Sequence, residues 1–211
     1  MSKRIAVLVS GGGTNLQALI DAQTRNELGG GEIVAVISSK TGAYALERAA
    51  KAGIPGYVLP RKEFDSNRAM TVALVDLLRT LEIDLVVLAG CMIIFTGELV
   101  EAYPNAIMNV HPALIPSFCG PGYYGLRVHE EALRYGVKLS GATVHFVSEE
   151  CDGGPIIAQK SVAVLPGDTP QVLQRRIMEE AEWKLLPEAV SLFCQDRITV
   201  EGRTVIIHET A

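Results

Sequence analysis

The sequence predicts an α/β protein with an open, mostly parallel, twisted sheet and helices on both faces. Two observations carry this. Short apolar runs alternate with segments of helical spacing through the first two thirds of the chain, as repeated strand–helix units do. The runs Ile5–Val9 and Leu85–Ala89 are almost continuously apolar, which suits strands covered on both faces. A length of 211 residues with 48% apolar and 20% charged residues supports a substantial core. Without repeats, low-complexity tracts or linkers, residues 1–211 read as a single domain.

The elements follow in order. Ile5–Val9 reads as a buried strand, Ser10–Asn15 (SGGGTN) as a loop and Leu16–Ala22 as a helix. Ile33–Ile37 is a second strand, followed by a helix over Ala43–Ala52 that Gly53 and Pro55 end, then a short strand at Tyr57–Leu59. Arg68–Leu81 has apolar residues at Val72, Leu74, Val75, Leu77 and Leu78, a helical spacing. Leu85–Ala89 and Ala106–Val110 are further strands. Ser140–Phe146 and Ile156–Val164 make two more, joined by VSEECDGG. Thr169–Cys194 reads as helix, with Thr169 as N-cap, Pro170 at the first turn and Pro187 expected to kink or split it. Arg197–Ile207 reads as a hairpin turning at Glu201-Gly202. Crossovers should be right-handed, and ligands should collect at the strands' carboxyl ends.

Composition narrows the function. A formal net charge of −5 is a poor match to nucleic acid, which wants a basic stripe. Neither a membrane-spanning run nor a signal-peptide core is present: the first apolar run stops at Ser10 after five residues. Cys91, Cys119, Cys151 and Cys194 form no CxxC pair, so free thiols in a reducing cytoplasm are the simplest reading. The four histidines show no metal-ligand spacing, and no catalytic metal is expected.

Three stretches carry candidate chemistry. In VSGGGTNLQAL, glycines let backbone approach a ligand, and the helix start offers N–H groups and partial positive charge to a phosphate. It lacks the lysine of a Walker loop and the third glycine of a dinucleotide loop. The alternative is a tight turn with Thr14 or Asn15 capping the helix. In MNVHP, Asn109 and His111 lie two apart on a strand, so they share a face. An amide donor and an imidazolium donor suit a developing oxyanion. The alternative is a capping Asn and a His satisfied by a carbonyl. In SEECDGGP, Asp152 precedes two glycines. It is either turn chemistry or a carboxylate beside His111, raising the imidazole pKa and relaying protons through water. Cys151 as nucleophile is disfavoured, with no His nearby in sequence. His129, before Glu130 and Glu131, is expected on a surface helix.

Glycine loop, Asn-x-His-Pro and Asp-Gly-Gly, in this order, resemble the folate-dependent glycinamide ribonucleotide formyltransferases of purine biosynthesis. VLVSGGGTNLQALIDA, VVLAGCM, MNVHPALIPSF, GATVHFVSEECDGGPIIAQ and GDT match in place, so the resemblance spans nearly the whole chain. It implies a formyltransferase-like fold with a Rossmann-related N-terminal half. It implies that Gly13, Thr14 and Asn15 bind the substrate phosphate and that Asn109, His111 and Asp152 are catalytic. Met92, Ile93, Ile94 and Phe95, with Asn109, would line the folate pocket, and Glu182 would reach the glycinamide end. An arginine usual in the family is replaced by Ile93; another falls at Asn67, leaving Arg68 beside it as a folate-binding candidate.

The implied reaction moves the formyl group of 10-formyltetrahydrofolate, a co-substrate, to the amine of glycinamide ribonucleotide, by direct amine attack. Small molecules are the implied partners, with neither nucleic acid nor membrane, in a monomer or homodimer. Formyltetrahydrofolate hydrolases and methionyl-tRNA formyltransferases share the core but carry an extra N-terminal or C-terminal domain; with the first strand starting near residue 4 and an acidic chain of 211 residues, both readings are expected to be disfavoured. A non-catalytic sensor of phosphorylated ligands on the same fold is the reading from another class.

Overall fold

Strand β1 (Arg4–Val9) divides its side chains between two cores. Ile5, Val7 and Val9 enter one and Ala6 and Leu8 the other, the period-two alternation of a pleated strand. The chain then continues through α1 (Thr14–Thr24), β2 (Glu32–Ser38), α2 (Tyr44–Lys51), β3 (Gly56–Val58), α3 (Asn67–Thr80), β4 (Leu85–Leu88), α4 (Gly97–Ala102) and β5 (Ile107–His111). This is a computed structural model, which describes residues 2–91, 93 and 95–209. Strands β3-β2-β1-β4-β5 pair in that order, all parallel.

After α5 (Leu126–Tyr135) the sheet changes character. Strand β6 (Leu139–Phe146) adds antiparallel to β5, and β7 (Ile156–Ala163) adds antiparallel to β6. The C-terminal hairpin of β8 (Ile198–Glu201) and β9 (Thr204–Ile207) closes a nine-stranded sheet, with β9 parallel to β7. The mostly parallel α/β sheet is therefore present, with an extension in which β6 and β7 are joined directly by a loop while α5 precedes β6 and α6 (Pro170–Ile177) and α7 (Trp183–Cys194) follow β7.

Helices cover both faces. Leu16 and Leu19 of α1, Ala45 and Ala49 of α2, and Leu186 and Val190 of α7 (Trp183–Cys194) pack on one side. Leu74 and Leu78 of α3 and Leu99 of α4 pack on the other. A third cluster sets Leu173 and Ile177 of α6 (Pro170–Ile177) against Ala142 and Val162 of β6 and β7.

Two expectations are corrected. The stretch 169–194 is not one helix split at Pro187. Thr169 does cap α6, accepting from Val172 N at 3.3 Å with Pro170 in the first turn. The irregularity lies upstream of Pro187, in a π turn over Met178–Glu182, while Pro187 sits inside α7. His129 is not at the surface but fully buried within α5. Val128 and Ala132 are buried with it, so the buried stripe passes through the histidine while Glu130 faces solvent.

β2 lies on one side of β1 and β4 on the other. Connections diverge from β1 there, and such a switch point opens a crevice at the strands' carboxyl ends. The glycine loop follows β1, and Asn109 lies beside Leu88 at the end of β4.

Candidate active site

The glycine loop leads directly into α1. Gly13 is the N-cap residue, at φ 71 and ψ 38, and no side chain caps the helix. The capping alternative for Thr14 or Asn15 is thus not what the structure contains. A Cβ at Gly13 would lie 2.7 Å from Ala45 Cβ, so this position needs both left-handed backbone and empty space. No acidic residue occupies the first turn of α1. An uncapped, acid-free helix N-terminus is an anion-binding arrangement.

Asn15 turns inward instead. Its Nδ2 donates to Glu182 Oε2 at 2.7 Å, across 167 residues, and both side chains are buried. The π turn Met178–Glu182 delivers Glu182 to this place; such turns recur at functional sites because the extra residue re-aims a side chain. Burial pushes the Glu182 carboxyl above its ordinary value, and the Asn15 bond only partly offsets this. Asn15 Oδ1 is buried without a partner among the described residues, an acceptor still open.

The second cluster gathers on Asp152, which sits in the β6–β7 loop at φ 54. Asn109 Nδ2 donates to its Oδ1 at 3.4 Å, and His111 Nδ1 lies 3.5 Å from its Oδ2. Gly120 N donates to the same Oδ2 at 2.9 Å. His145 Nε2 stands 3.7 Å from Oδ1 and 3.1 Å from Asn109 Nδ2. The Asn109, His111 and Asp152 singled out in the sequence are therefore brought together. His145 belongs with them although the sequence reading gave it no role; it sits directly opposite Asn109 in the antiparallel β5–β6 register.

Carbonyls can only accept, which fixes two tautomers. His111 Nε2 donates to Phe118 O at 2.8 Å, and His145 Nδ1 donates to Phe146 O at 2.8 Å. With Nδ1 as the donor, His145 Nε2 is the ring nitrogen that faces the Asn109 amide, at 3.1 Å. Burial lowers the His111 pKa and His145 adds to this, outweighing Asp152 and the Phe118 carbonyl, which raise it. Asp152 does raise this imidazole, as expected, but desolvation outweighs it and the net shift is downward, so the expected imidazolium near neutral pH is corrected. Burial works to raise Asp152, but His145, His111 and the Gly120 N–H together hold it below the ordinary value. At neutral pH the pair is a neutral imidazole facing an ionised carboxylate.

The folate side is less converged. Ile93 and Phe95 line a small apolar cavity with Leu8, Ile37 and Cys91. Met92 and Ile94 lie outside the described residues. Arg68 is exposed and paired with Glu98 Oε1 at 2.5 Å. Among the described residues, no group of three or more His, Cys, Asp or Glu is placed to hold a metal, and no helix is long and apolar enough to cross a membrane.

Comparison with known proteins identifies what the chain is similar to. Residues 3–190 match the family model described as formyl transferase. The chain is 40% identical to phosphoribosylglycinamide formyltransferase of Haemophilus influenzae over 199 residues, 94% of this chain and 91% of that one. It is 40% identical to the chloroplastic enzyme of Arabidopsis thaliana, covering 93% of this chain and 67% of that protein. The crystal structure of glycinamide ribonucleotide transformylase 1 from Symbiobacterium toebii superposes with a TM-score of 0.93 at 43% identity, covering 99% of this chain and 95% of that one.

Proposed function

The chain belongs to the formyl transferase family, and from that premise we propose a reacting centre for the reaction it carries out, transfer of the formyl group of 10-formyltetrahydrofolate to the amine of glycinamide ribonucleotide. Asn109, His111 and Asp152 form that centre. The observation that carries the assignment is the convergence of both histidines and the amide on one carboxylate at the sheet's crevice.

The substrate amine attacks the formyl carbon directly. The carbonyl oxygen gains negative charge, and Asn109 has two N–H groups, one on His145 and one on Asp152. The 3.4 Å bond to Asp152 is the weaker and is the one exchanged for the oxyanion. The attacking nitrogen must shed a proton. Neutral His111 and ionised Asp152 together accept it, through a water, so imidazolium forms as the oxyanion forms. The same proton then leaves with the folate N10 as the tetrahedral adduct collapses. Phosphate at Gly13, Thr14 and Asn15, and the glycinamide end near Glu182, hold the amine in line without touching the reacting atoms. The folate lies along Ile93, Phe95 and Asn109. Arg68 takes part only by exchanging Glu98 for a folate carboxylate. A cytoplasmic setting fits the four free cysteines, and the proposed partners are small molecules alone, in a monomer or homodimer.

Formyl transfer measured with glycinamide ribonucleotide, against a no-acceptor control, separates transfer from hydrolysis and from mere binding. Asn109→Ala should lower turnover by about 10²–10³-fold. Near-normal turnover in both Asn109→Ala and Asp152→Asn would remove the assignment.

A further inference from the structure

The carbonyls of the loop glycines all have partners. Gly11 O accepts from Ala45 N at 3.1 Å and Gly13 O from Gln17 N at 2.9 Å. Gly12 O accepts from a side chain, Arg48 Nε, at 2.8 Å. A trans peptide is planar, with its C=O and the following N–H on opposite sides. Anchoring these three carbonyls therefore aims the N–H groups of Gly12, Gly13 and Thr14 away from the anchors. Successive N–H groups fixed this way make an anion-binding nest.

Two of the three anchors are main chain and tolerate substitution. The third is Arg48, and its guanidinium is itself held. Nη1 donates to Gln17 Oε1 at 2.9 Å, and Gln17 Nε2 donates to Asp21 Oδ1 at 2.8 Å, which orients that amide. The guanidinium carbon lies 5.0 Å from the centre of the Tyr44 ring. A Cβ on Gly13 would fall 3.5 Å from Arg48 Cδ, so the side chain runs along the loop and leaves its charge beside it.

We propose that Arg48 is a positioning residue that sets affinity for the phosphorylated amine substrate, by fixing the Gly12–Gly13 peptide and adding a cation at the nest. This rests on the reading of the loop as the phosphate site. Arg48 takes no part in the chemistry at Asp152, so its loss acts on one Michaelis constant and spares turnover.

Steady-state kinetics of Arg48→Met, Arg48→Lys and the unaltered protein test this, with glycinamide ribonucleotide and with its dephosphorylated nucleoside as acceptors. Arg48→Met should raise KM for the phosphorylated acceptor by at least about tenfold while kcat and the KM for formyl-folate stay within about twofold. Arg48→Lys, a single point donor in place of a fork, should fall between. A KM for the phosphorylated acceptor within about twofold of the unaltered protein overturns the role, as does an equal rise in both Michaelis constants with a fall in kcat. If Arg48→Met does not fold, an unchanged KM in Arg48→Lys overturns it alone. An unaltered protein that shows no preference for the phosphorylated acceptor would instead sink the phosphate-loop reading beneath it.

Discussion

Replacing His129 by Met should make the protein markedly more resistant to acid. His129 has no exposed surface, and neither ring nitrogen has a partner among the described residues. Burial first, and the nearby His111 second, push its pKa from 6.5 down to about 4. The unfolded chain therefore takes up the proton before the folded one does. This group's contribution to stability is intact above pH 6.5, declines as pH falls, and is fully lost below about pH 4. A gap of about 2.5 units at 1.36 kcal/mol each makes the loss about 3 kcal/mol. That is a large share of a stability of roughly 5–15 kcal/mol. Urea unfolding between pH 7.5 and 4.5 measures it. The unaltered protein should lose stability steeply through this window, and His129→Met should lose about 2–3 kcal/mol less. Parallel curves for the two proteins would refute the reasoning. Above pH 7 the variant should be as stable or more so, because two unpaired buried nitrogens disappear.

Other expectations follow from the same geometry. Glu182→Gln keeps an acceptor for Asn15 while removing a carboxyl whose pKa is raised in the fold. Such a group loses stabilisation as pH rises through its folded value, so this variant should melt higher at pH 8, yet show a larger KM for glycinamide ribonucleotide. Asp152→Asn removes the group that raises His111; the imidazole resonances should titrate at lower pH by NMR, and turnover should collapse. Gly13→Val forces a left-handed β-branched residue against Ala45; KM for the phosphorylated substrate should rise far more than that for folate, and equal rises would count against the loop. Leu78→Ala, fully buried under the sheet, should cost about 2–5 kcal/mol in denaturant unfolding without altering either KM.

The parallel strands β1, β2, β4 and β5 were legible because each is a short, mostly apolar and mostly buried run; β3, short and largely exposed, was read from its place after the second helix. Asn109 and His111 were legible because spacing alone puts them on one face. The rest needed information that local pattern does not hold. His145 joins the site only through the β5–β6 register, which sets it opposite Asn109. His129 misled because Glu130 and Glu131 suggest a wet face, although Val128 and Ala132 mark a buried stripe on either side. The sign of the His111 shift was missed because a charged neighbour is visible in sequence and desolvation is not. Pro187 drew attention from the turn that bends the chain, since proline is a recognisable breaker and MEEAE carries no comparable mark.

That turn, Met178–Glu182, has a consequence for which changes the gene can tolerate. An α-helix advances about 100° per residue. Excising one codon here would let the backbone relax into regular α-geometry, a gain in local order, while swinging Glu182 around the axis and away from Asn15. Point changes at the outward-facing Glu179 and Glu180 leave this spacing untouched. Length, more than identity, is what this five-residue span must preserve.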